Sequence, residues 1–407
     1  MEVREASANY VVTEMPQMPK GYKQTEVGVI PEDWDVTTVG EISDVKTGPF
    51  GSALHERDYV NEGTPIITVE HLGELGVLHS NLPLVSDTDR VRLKAYSLRQ
   101  GDIVFSRVGS VDRNALIRVS ENGWLFSGRL LRVRPAREII HPPYLSYHFH
   151  SETFKQRVRD VAVGQTMASI NTRILKGVKA VLPPTKSEQE AIAEALSDAD
   201  ALIESLEHLL VKKRQLKQGA MQELLTGKRR LPGFSGEWGV RRLGDMLTIC
   251  HGKSQREVES ANGPYPILAT GGQIGWAIRF LYDKPSVLIG RKGTIDQPQY
   301  MGTPFWTVDT LFYSVIHESN HAKFLFYRFC LIDWKQHNEA SGVPSLNART
   351  IENIQISSPG LEEQTAIATI LSDIDNEIAA LEENLTKARH LKQGMMQELL
   401  TGRIRLL

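Results

Sequence analysis

The chain has 407 residues, a formal net charge of −2, 41% hydrophobic and 24% charged residues, and two cysteines. That length allows two domains plus connecting helices, and two cysteines exclude a disulfide framework or a four-cysteine zinc site. The charge does not mark the chain as a nucleic-acid binder, its polar start lacks a signal-peptide core, and no run nears the roughly 18 apolar residues of a membrane span, so a cytoplasmic protein is expected.

An N-terminal arm (1–20) precedes a first mixed segment at 21–187. This segment opens with Pro31, Trp34 and Gly40, then runs through the turn-forming loop Thr47-Gly48-Pro49-Phe50-Gly51-Ser52. Residues 64–69 and 102–105, bounded by Gly and Pro, predict strands. Residues 143–158 predict one helix. Between strand and helix stands Arg107-Val108-Gly109-Ser110-Val111-Asp112, and Ser169-Ile170-Asn171-Thr172-Arg173 and Pro183 close the segment.

Residues 188–231 carry apolar side chains at Ile192, Leu196, Ala199, Ile203, Leu206 and Leu210, in alternating steps of four and three with charged residues between. That is a coiled-coil seam. Ser187 and Glu190 predict a capping box at the helix start, and Gly227 a C-cap. A helix over 188–225 would be about 57 Å long. Gly219 inside it predicts a break or a close helix approach.

Residues 232–362 follow the plan of the first segment: Trp238 and Gly244, the loop Ala269-Thr270-Gly271-Gly272-Gln273, a strand at 285–289, Arg291-Lys292-Gly293-Thr294-Ile295-Asp296, a helix at 322–337, Ser345-Leu346-Asn347-Ala348-Arg349 and Pro359. Residues 363–407 then repeat the helix. Glu363–Leu406 aligns with Glu188–Leu231 at a constant offset, without a gap and with over half the positions identical. The second seam is Ile367, Leu371, Ile374, Ile378, Leu381, Leu385 and Ala388, with Gly394 and Gly402 matching Gly219 and Gly227.

A repeat of this period dictates architecture. It predicts an α+β chain in which two mixed α/β domains are separated by two long helices. Those helices bury their seams on each other and close the chain into a pseudo-twofold, circular arrangement. The competing arrangement packs each helix on its own domain. Near-identity in the helices and divergence between the globular parts imply one shared task done twice and two variants of another.

The chemistry points to recognition. Arg-x-Gly-Ser/Thr after a strand suits a phosphate or base-edge contact, since Arg is a bidentate donor and Gly leaves room; it equally suits a hairpin turn whose Asp accepts backbone hydrogen bonds. Basic clusters occur at 129–137, 212–214 and 228–230. The candidate DNA contacts are Lys46, Phe50, Ser52, Arg107, Ser110, Arg113 and Arg129 in the first segment, and Lys253, Gln255, Gln273, Arg291, Lys292 and Thr294 in the second. Enzyme motifs fail. His141-Pro142-Pro143-Tyr144 has His where amino-group methyltransferases carry Asn or Asp, and reads as a Pro-started helix. Gly252-Lys253-Ser254 lacks the earlier glycine of a phosphate-binding loop, Leu247 standing there. The histidines show no metal-ligand spacing.

Two variable segments, each followed by a helix ending Leu-Lys-Gln-Gly-x-Met-Gln-Glu-Leu-Leu-Thr-Gly (216–227 and 391–402), together with the Glu-Gln-x-Ala-Ile-Ala starts at 188 and 363, the 48–52 loop and the Trp34 and Trp238 openings, resemble the specificity subunit of a type I restriction–modification system. The resemblance implies that each segment is a target-recognition domain for one half of a split, asymmetric DNA site. It implies that the helices pair antiparallel and set the unread gap. Two modification subunits would dock there, bringing S-adenosylmethionine to methylate adenine N6, and two restriction subunits would add ATP- and Mg-dependent translocation and cleavage. This chain would hold no cofactor, no metal and no catalytic group. A coiled-coil adaptor without DNA, an orphan DNA-binding specificity protein without active partners, and a self-contained methyltransferase are the competing readings.

Overall fold

The computed structural model describes residues 18–49, 54–74, 76–164 and 166–406. The chain divides into two contact units, residues 1–205 with 386–407, and residues 206–385. Each unit therefore contains one globular segment and parts of both long helices.

In the first unit an antiparallel sheet has the order Ser43–Thr47, Leu130–Pro135, Ile103–Ser106, Asn114–Leu116. A second sheet contains the parallel pair Thr64–Ile67 and Leu125–Phe126, and Asp35–Thr38 pairs with Lys179–Leu182. Ile103 and Phe105 enter one core with Val45, Val133, Phe149 and Phe154, while Val104 enters another with Ile67, Ala115 and Phe126. A strand covered on both faces explains the unbroken apolar run at 103–105.

The second unit has the same connectivity. Its sheet order is Leu247–His251, Leu311–Ile316, Ser286–Gly290, Gln299–Met301, its parallel pair is Tyr265–Ala269 with Trp306–Thr307, and Gly239–Arg242 pairs with Gln355–Ser358. The duplication seen in the helices extends to the globular topology.

Neither globular helix runs as far as the sequence reading expects. Residues 143–158 form two helices, Pro142–His150 and Glu152–Val161, because Ser151 leaves helical geometry (ψ 141°) and caps the second, accepting from the Phe154 N–H at 3.3 Å. Residues 322–337 split into Ala322–Leu331 and a 3₁₀ turn at Trp334–His337.

The long helices span Lys186–Leu224 and Leu361–Leu399. The first starts two residues before the predicted point: Thr185, not Ser187, supplies the cap, its hydroxyl accepting from the Glu188 N–H at 3.2 Å. Gly219 and Gly394 mark neither a break nor a close approach, since both helices continue through them and an added Cβ would meet nothing within 4 Å. Gly227 and Gly402 adopt φ +72° and +71° and lie against Trp238 and Trp34.

The helices pair antiparallel. In the second unit Lys213 bonds Glu377 and Lys217 reaches Asp375 at 2.5 Å, so numbers rise on one helix as they fall on the other. In the first unit Lys392 reaches Asp200 at 2.5 Å. Ile192, Leu196, Ile203, Leu210, Ile367, Leu371 and Leu385 are buried, whereas Leu206, Ile378 and Leu381 are half-buried. Both arrangements considered for the seams occur together. Ile192 and Leu196 share a core with Trp34, Tyr144 and Val181 of the globular part and with Leu399 and Leu400 of the other helix. Ile367 and Leu371 likewise join Phe324, Phe329, Leu224 and Leu225.

Charge locks these junctions. Glu188, its side chain 1% exposed, receives Arg405, which also holds Asp33 through two bonds of 2.9 Å and lies 5.6 Å from the Trp34 ring centroid. In the second unit Arg230 is bidentate to Glu363 (2.7 and 2.7 Å), and Trp238 Nε1 donates to the same carboxylate at 3.2 Å. Arg230 and Arg405 are equivalent repeat positions, as are Glu188 and Glu363. The start of each helix is thus clamped by the residues following the other. Gln189 and Gln364 accept from the His141 and His321 N–H groups at 2.9 Å, fixing the starts of helices Pro142–His150 and Ala322–Leu331. Tyr147 donates to Asp200 at 2.8 Å and Tyr327 to Asp375 at 2.6 Å, the carboxylates that Lys392 and Lys217 neutralise.

Two outcomes follow from these contacts. Arg405→Ala strands the buried Glu188 carboxylate and is expected to lower stability by about 3 kcal/mol, read from urea unfolding, whereas Arg403→Ala, an exposed neighbour, should change it by under about 1 kcal/mol. His148 is buried, accepts from the Val181 N–H at 3.2 Å, and has its pKa pushed down to about 3, first by burial and then by nearby Arg157. A depressed histidine contributes stability that is fully present above the unfolded value of 6.5 and is lost as pH falls toward the folded one. Below pH 6.5 this one group should cost about 1.4 kcal/mol per pH unit, and His148→Gln should flatten the acid limb of the unfolding free energy by that slope.

Candidate nucleic-acid interface

Two motifs far apart in sequence form one structure in each unit. Strand Ile103–Ser106 delivers Arg107, whose N–H donates to Arg129 O at 2.9 Å and whose carbonyl accepts from the Ile170 N–H at 2.9 Å. Gly109, at φ +82°, donates its N–H to Ala168 O at 2.8 Å. In the second unit the Arg291 N–H donates to Thr310 O at 2.8 Å, its carbonyl accepts from the Leu346 N–H at 3.0 Å, and Gly293, at φ +91°, donates to Pro344 O at 2.9 Å. The Arg-x-Gly tip and the Ser-x-Asn segment are therefore a single backbone clip. The left-handed glycine is required because a Cβ is disfavoured at that φ. The asparagines are helix caps: Asn171 accepts from the Ile174 N–H at 2.9 Å and Asn347 from the Arg349 N–H at 3.0 Å.

The tip is a hairpin, but its aspartate is engaged by side chains. Asp112 pairs with Arg159 at 2.6 Å, and Asp296 pairs with Lys335 at 3.0 Å, a contact that lowers the Asp296 pKa. The arginines at the tip are half-buried, with guanidinium donors directed to equivalent carbonyls: Arg107 to Gly128 O at 3.4 Å and Arg291 to Asp309 O at 3.3 Å. Both of these bonds go to backbone carbonyls, so the two tips hold their arginines in the same way.

A third segment meets each clip, and its equivalence escaped the sequence reading. Gly48 follows strand Ser43–Thr47, and a Cβ there would lie 2.1 Å from Ser127 O. Gly252 follows strand Leu247–His251, and a Cβ there would lie 2.0 Å from Val308 O. Gly252-Lys253-Ser254 is thus no phosphate loop; its glycine lets two backbones touch. The readable signal was a glycine directly after a strand at the same place in both copies.

Around these clips Ser110, Arg129, Lys253, Gln273 and Lys292 are exposed, and Gln255 and Thr294 half-buried. Gln273 Nε2 donates to Gly275 O at 3.2 Å. Two candidates are committed elsewhere: Lys46 donates to Ala95 O at 2.8 Å and sits 4.6 Å from the Tyr96 ring centroid, and Arg113 bonds Leu72 O. Phe50 and Ser52 lie outside the described residues. The basic run at 129–137 is not a surface cluster. Arg132 pairs with Asp44, Arg134 is bidentate to Asp102 at 2.7 Å, and Arg137 bonds Gln100 O. Lys213, Arg214 and Arg230 are spent on Glu377, Glu382 and Glu363. At His141-Pro-Pro-Tyr144 the prolines start a helix and buried Tyr144 donates to Val181 O at 3.0 Å, a structural use of the motif.

Residues 31–213 and 235–388 match the type I restriction modification DNA specificity domain. The chain belongs to this family. It is similar to a Methanocaldococcus jannaschii protein assigned as the MjaX type I restriction enzyme specificity subunit (29% identity, 95% of this chain and 97% of that one) and to the MjaIX specificity subunit of the same organism (22%, covering 94% and 96%). In fold it is similar to a type I restriction-modification S subunit from M. genitalium (TM-score 0.65, 16% identity, 90% and 96% covered) and to a chain from a study of complex assembly in the type I R-M system (TM-score 0.54, 17%, 92% and 99%). The protein is a DNA-specificity component of such a system and not its catalyst. Among the described residues no helix is long and apolar enough to cross a membrane.

The clip gives a direct test. Gly252→Ala must displace the Val308 backbone and is expected to cost about 1–3 kcal/mol. Gly271→Ala, where an added Cβ meets nothing within 4 Å, should leave the thermal midpoint unchanged.

Proposed function

We propose that each globular segment reads one half of a split, asymmetric DNA sequence and that the paired helices set the gap between the halves. In this reading two modification subunits dock on the chain, bring S-adenosylmethionine and methylate an adenine at N6 in each half. Two restriction subunits contribute ATP- and Mg-dependent translocation and cleavage, and the assembly works in the cytoplasm. The observation that carries the reading is the recurrence of one backbone clip, with Arg at its tip, on two domains of the same topology and different side chains.

A pair of equivalent faces supports docking of two copies of one partner. Leu216, Gly219 and Glu223 recur as Leu391, Gly394 and Glu398, in steps of three and four that put them on one helix face. Leu216 and Leu391 are 53% and 61% exposed, and the space beside both glycines is open. Identity at exposed apolar positions is not needed for folding, and it fits a surface that meets the same partner twice.

The reading is tested by mapping N6-methyladenine on DNA from cells expressing this chain with its modification subunit. A split motif is expected only when both are present. Arg107→Ala should relax or weaken one half of that motif and Arg291→Ala the other, by about 10–100-fold if each makes a bidentate base contact worth ~1–3 kcal/mol. Uniform weakening across all sequences would mean phosphate contacts instead.

A further inference from the structure

The second unit carries an apolar surface that its own core does not use. Strand Gly272–Ala277 is the edge of a three-stranded sheet. Its inward side is satisfied: Ala277 packs with Val258, Ile267, Trp306 and Val308. Outside stand Ile274 (54% exposed), Trp276 (43%) and Ile278 (59%), with Phe280 following. The strand's backbone edge is closed at one end, where the Ser260 N–H donates to Trp276 O at 2.8 Å and the Ile278 N–H to Val258 O at 2.9 Å. The side-chain row stays in water, and contiguous exposed apolar surface marks interaction sites. The register adds a second observation. Ile267 pairs with Gly275 and Leu268 with Gln273, so Ile274 is the extra residue of a β-bulge. Bulges re-aim single side chains beside functional sites.

The row is continuous with the clip. Gln299 Nε2 donates to Ala269 O at 3.0 Å and Thr270 O at 3.4 Å, tying the turn before Gly272 to the hairpin that carries Arg291. A Cβ on Gly293 would lie 3.8 Å from Thr270 Oγ1. Exposed Lys253, Arg256 and Lys292 belong to the same set of loops and strands, and Arg279 there pairs with Glu257 at 3.9 Å. In the first unit the sheet containing the matching parallel pair has additional chain over it, with Leu93, after helix Asp87–Arg92, packing on Ile66, Val85 and Leu125.

We propose that Ile274 and Trp276 enter the DNA major groove beside Arg291 and contact thymine methyl groups in the half-site read by the second unit. The inference rests on the DNA-reading proposed above. A β-ribbon fits the major groove, and the thymine C5-methyl is the apolar feature of base edges there. Lys253, Arg256 and Lys292 beside the row suit the phosphates that line such a groove.

The test uses the complex of the full chain with its modification subunit, on duplexes bearing the mapped motif in which each thymine in turn is replaced by uracil. Loss of about fourfold in affinity at one or two positions of a single half-site is expected, the worth of one buried methyl. Trp276→Ala and Ile274→Ser should weaken binding to the thymine duplex similarly and become indifferent to uracil at those positions. Their N6-methyladenine motifs should relax in that half alone. Unchanged affinity and motif in both variants would overturn the proposal. So would loss of co-purification with the modification subunit at an unchanged motif, which would make the row a protein interface. No split motif from the wild-type complex would overturn the DNA-reading itself, and this inference with it.

Discussion

A carboxylate out of water needs a cation, and the two that start the long helices, Glu188 and Glu363, keep only 1% and 4% of their side-chain surface exposed. Neither is satisfied by its own copy of the repeat. An arginine beyond the last turn of a 39-residue helix cannot return to that helix's first turn. The partner must come from the other copy, and it does, as Arg405 for Glu188 and Arg230 for Glu363. This exchange forces the helices antiparallel and fixes their register. It also explains why the repeat tolerates no gap, since one inserted residue would move the Glu, Gln, Asp, Lys and Arg positions out of reach together.

The globular parts obey a weaker constraint. What recurs in them is what the backbone demands: a glycine where two chains touch (Gly48, Gly252), a left-handed glycine at the tip (Gly109, Gly293), and an asparagine cap (Asn171, Asn347). Core positions have diverged freely. Buried neutral His148 on helix Pro142–His150 contrasts with Arg328 on the matching helix Ala322–Leu331, which reaches Leu225 O. A reader can therefore change its surface and even its packing while its attachment to the helices, through Gln189 or Gln364 and Tyr147 or Tyr327, stays the same.

Much of this was legible in the sequence because periodicity and repetition report backbone geometry. The two helices, their capping glycines and the strands near 64, 103 and 286 appear where the residues predict them. What stayed hidden depends on three-dimensional neighbours. Heptad phase could not show that Leu206, Ile378 and Leu381 would be only half-buried, or that Ile192 and Ile367 would join the globular cores. Reading 143–158 as one helix missed the break at Ser151, whose hydroxyl competes for the next helix's N–H groups. Charge runs misled most, because a strand alternates its faces: Arg132 and Arg134 turn inward to Asp44 and Asp102, leaving Arg129 outside.

That inward use of arginine bears on how DNA is held. Arg132, Arg134, Arg159, Arg230, Arg405, Lys213, Lys217 and Lys392 are all engaged by carboxylates of this chain. Those cations are not available to phosphates, and the chain is acidic overall by two charges. Non-specific affinity for a duplex scales with the number of phosphates neutralised, so a chain built this way holds little DNA indiscriminately. The proposed base reading at the two tips therefore goes with bulk electrostatics supplied by partner subunits. In the proposed reading the repeated faces at Leu216 and Leu391 meet the partner that supplies affinity, and sequence choice stays with this chain.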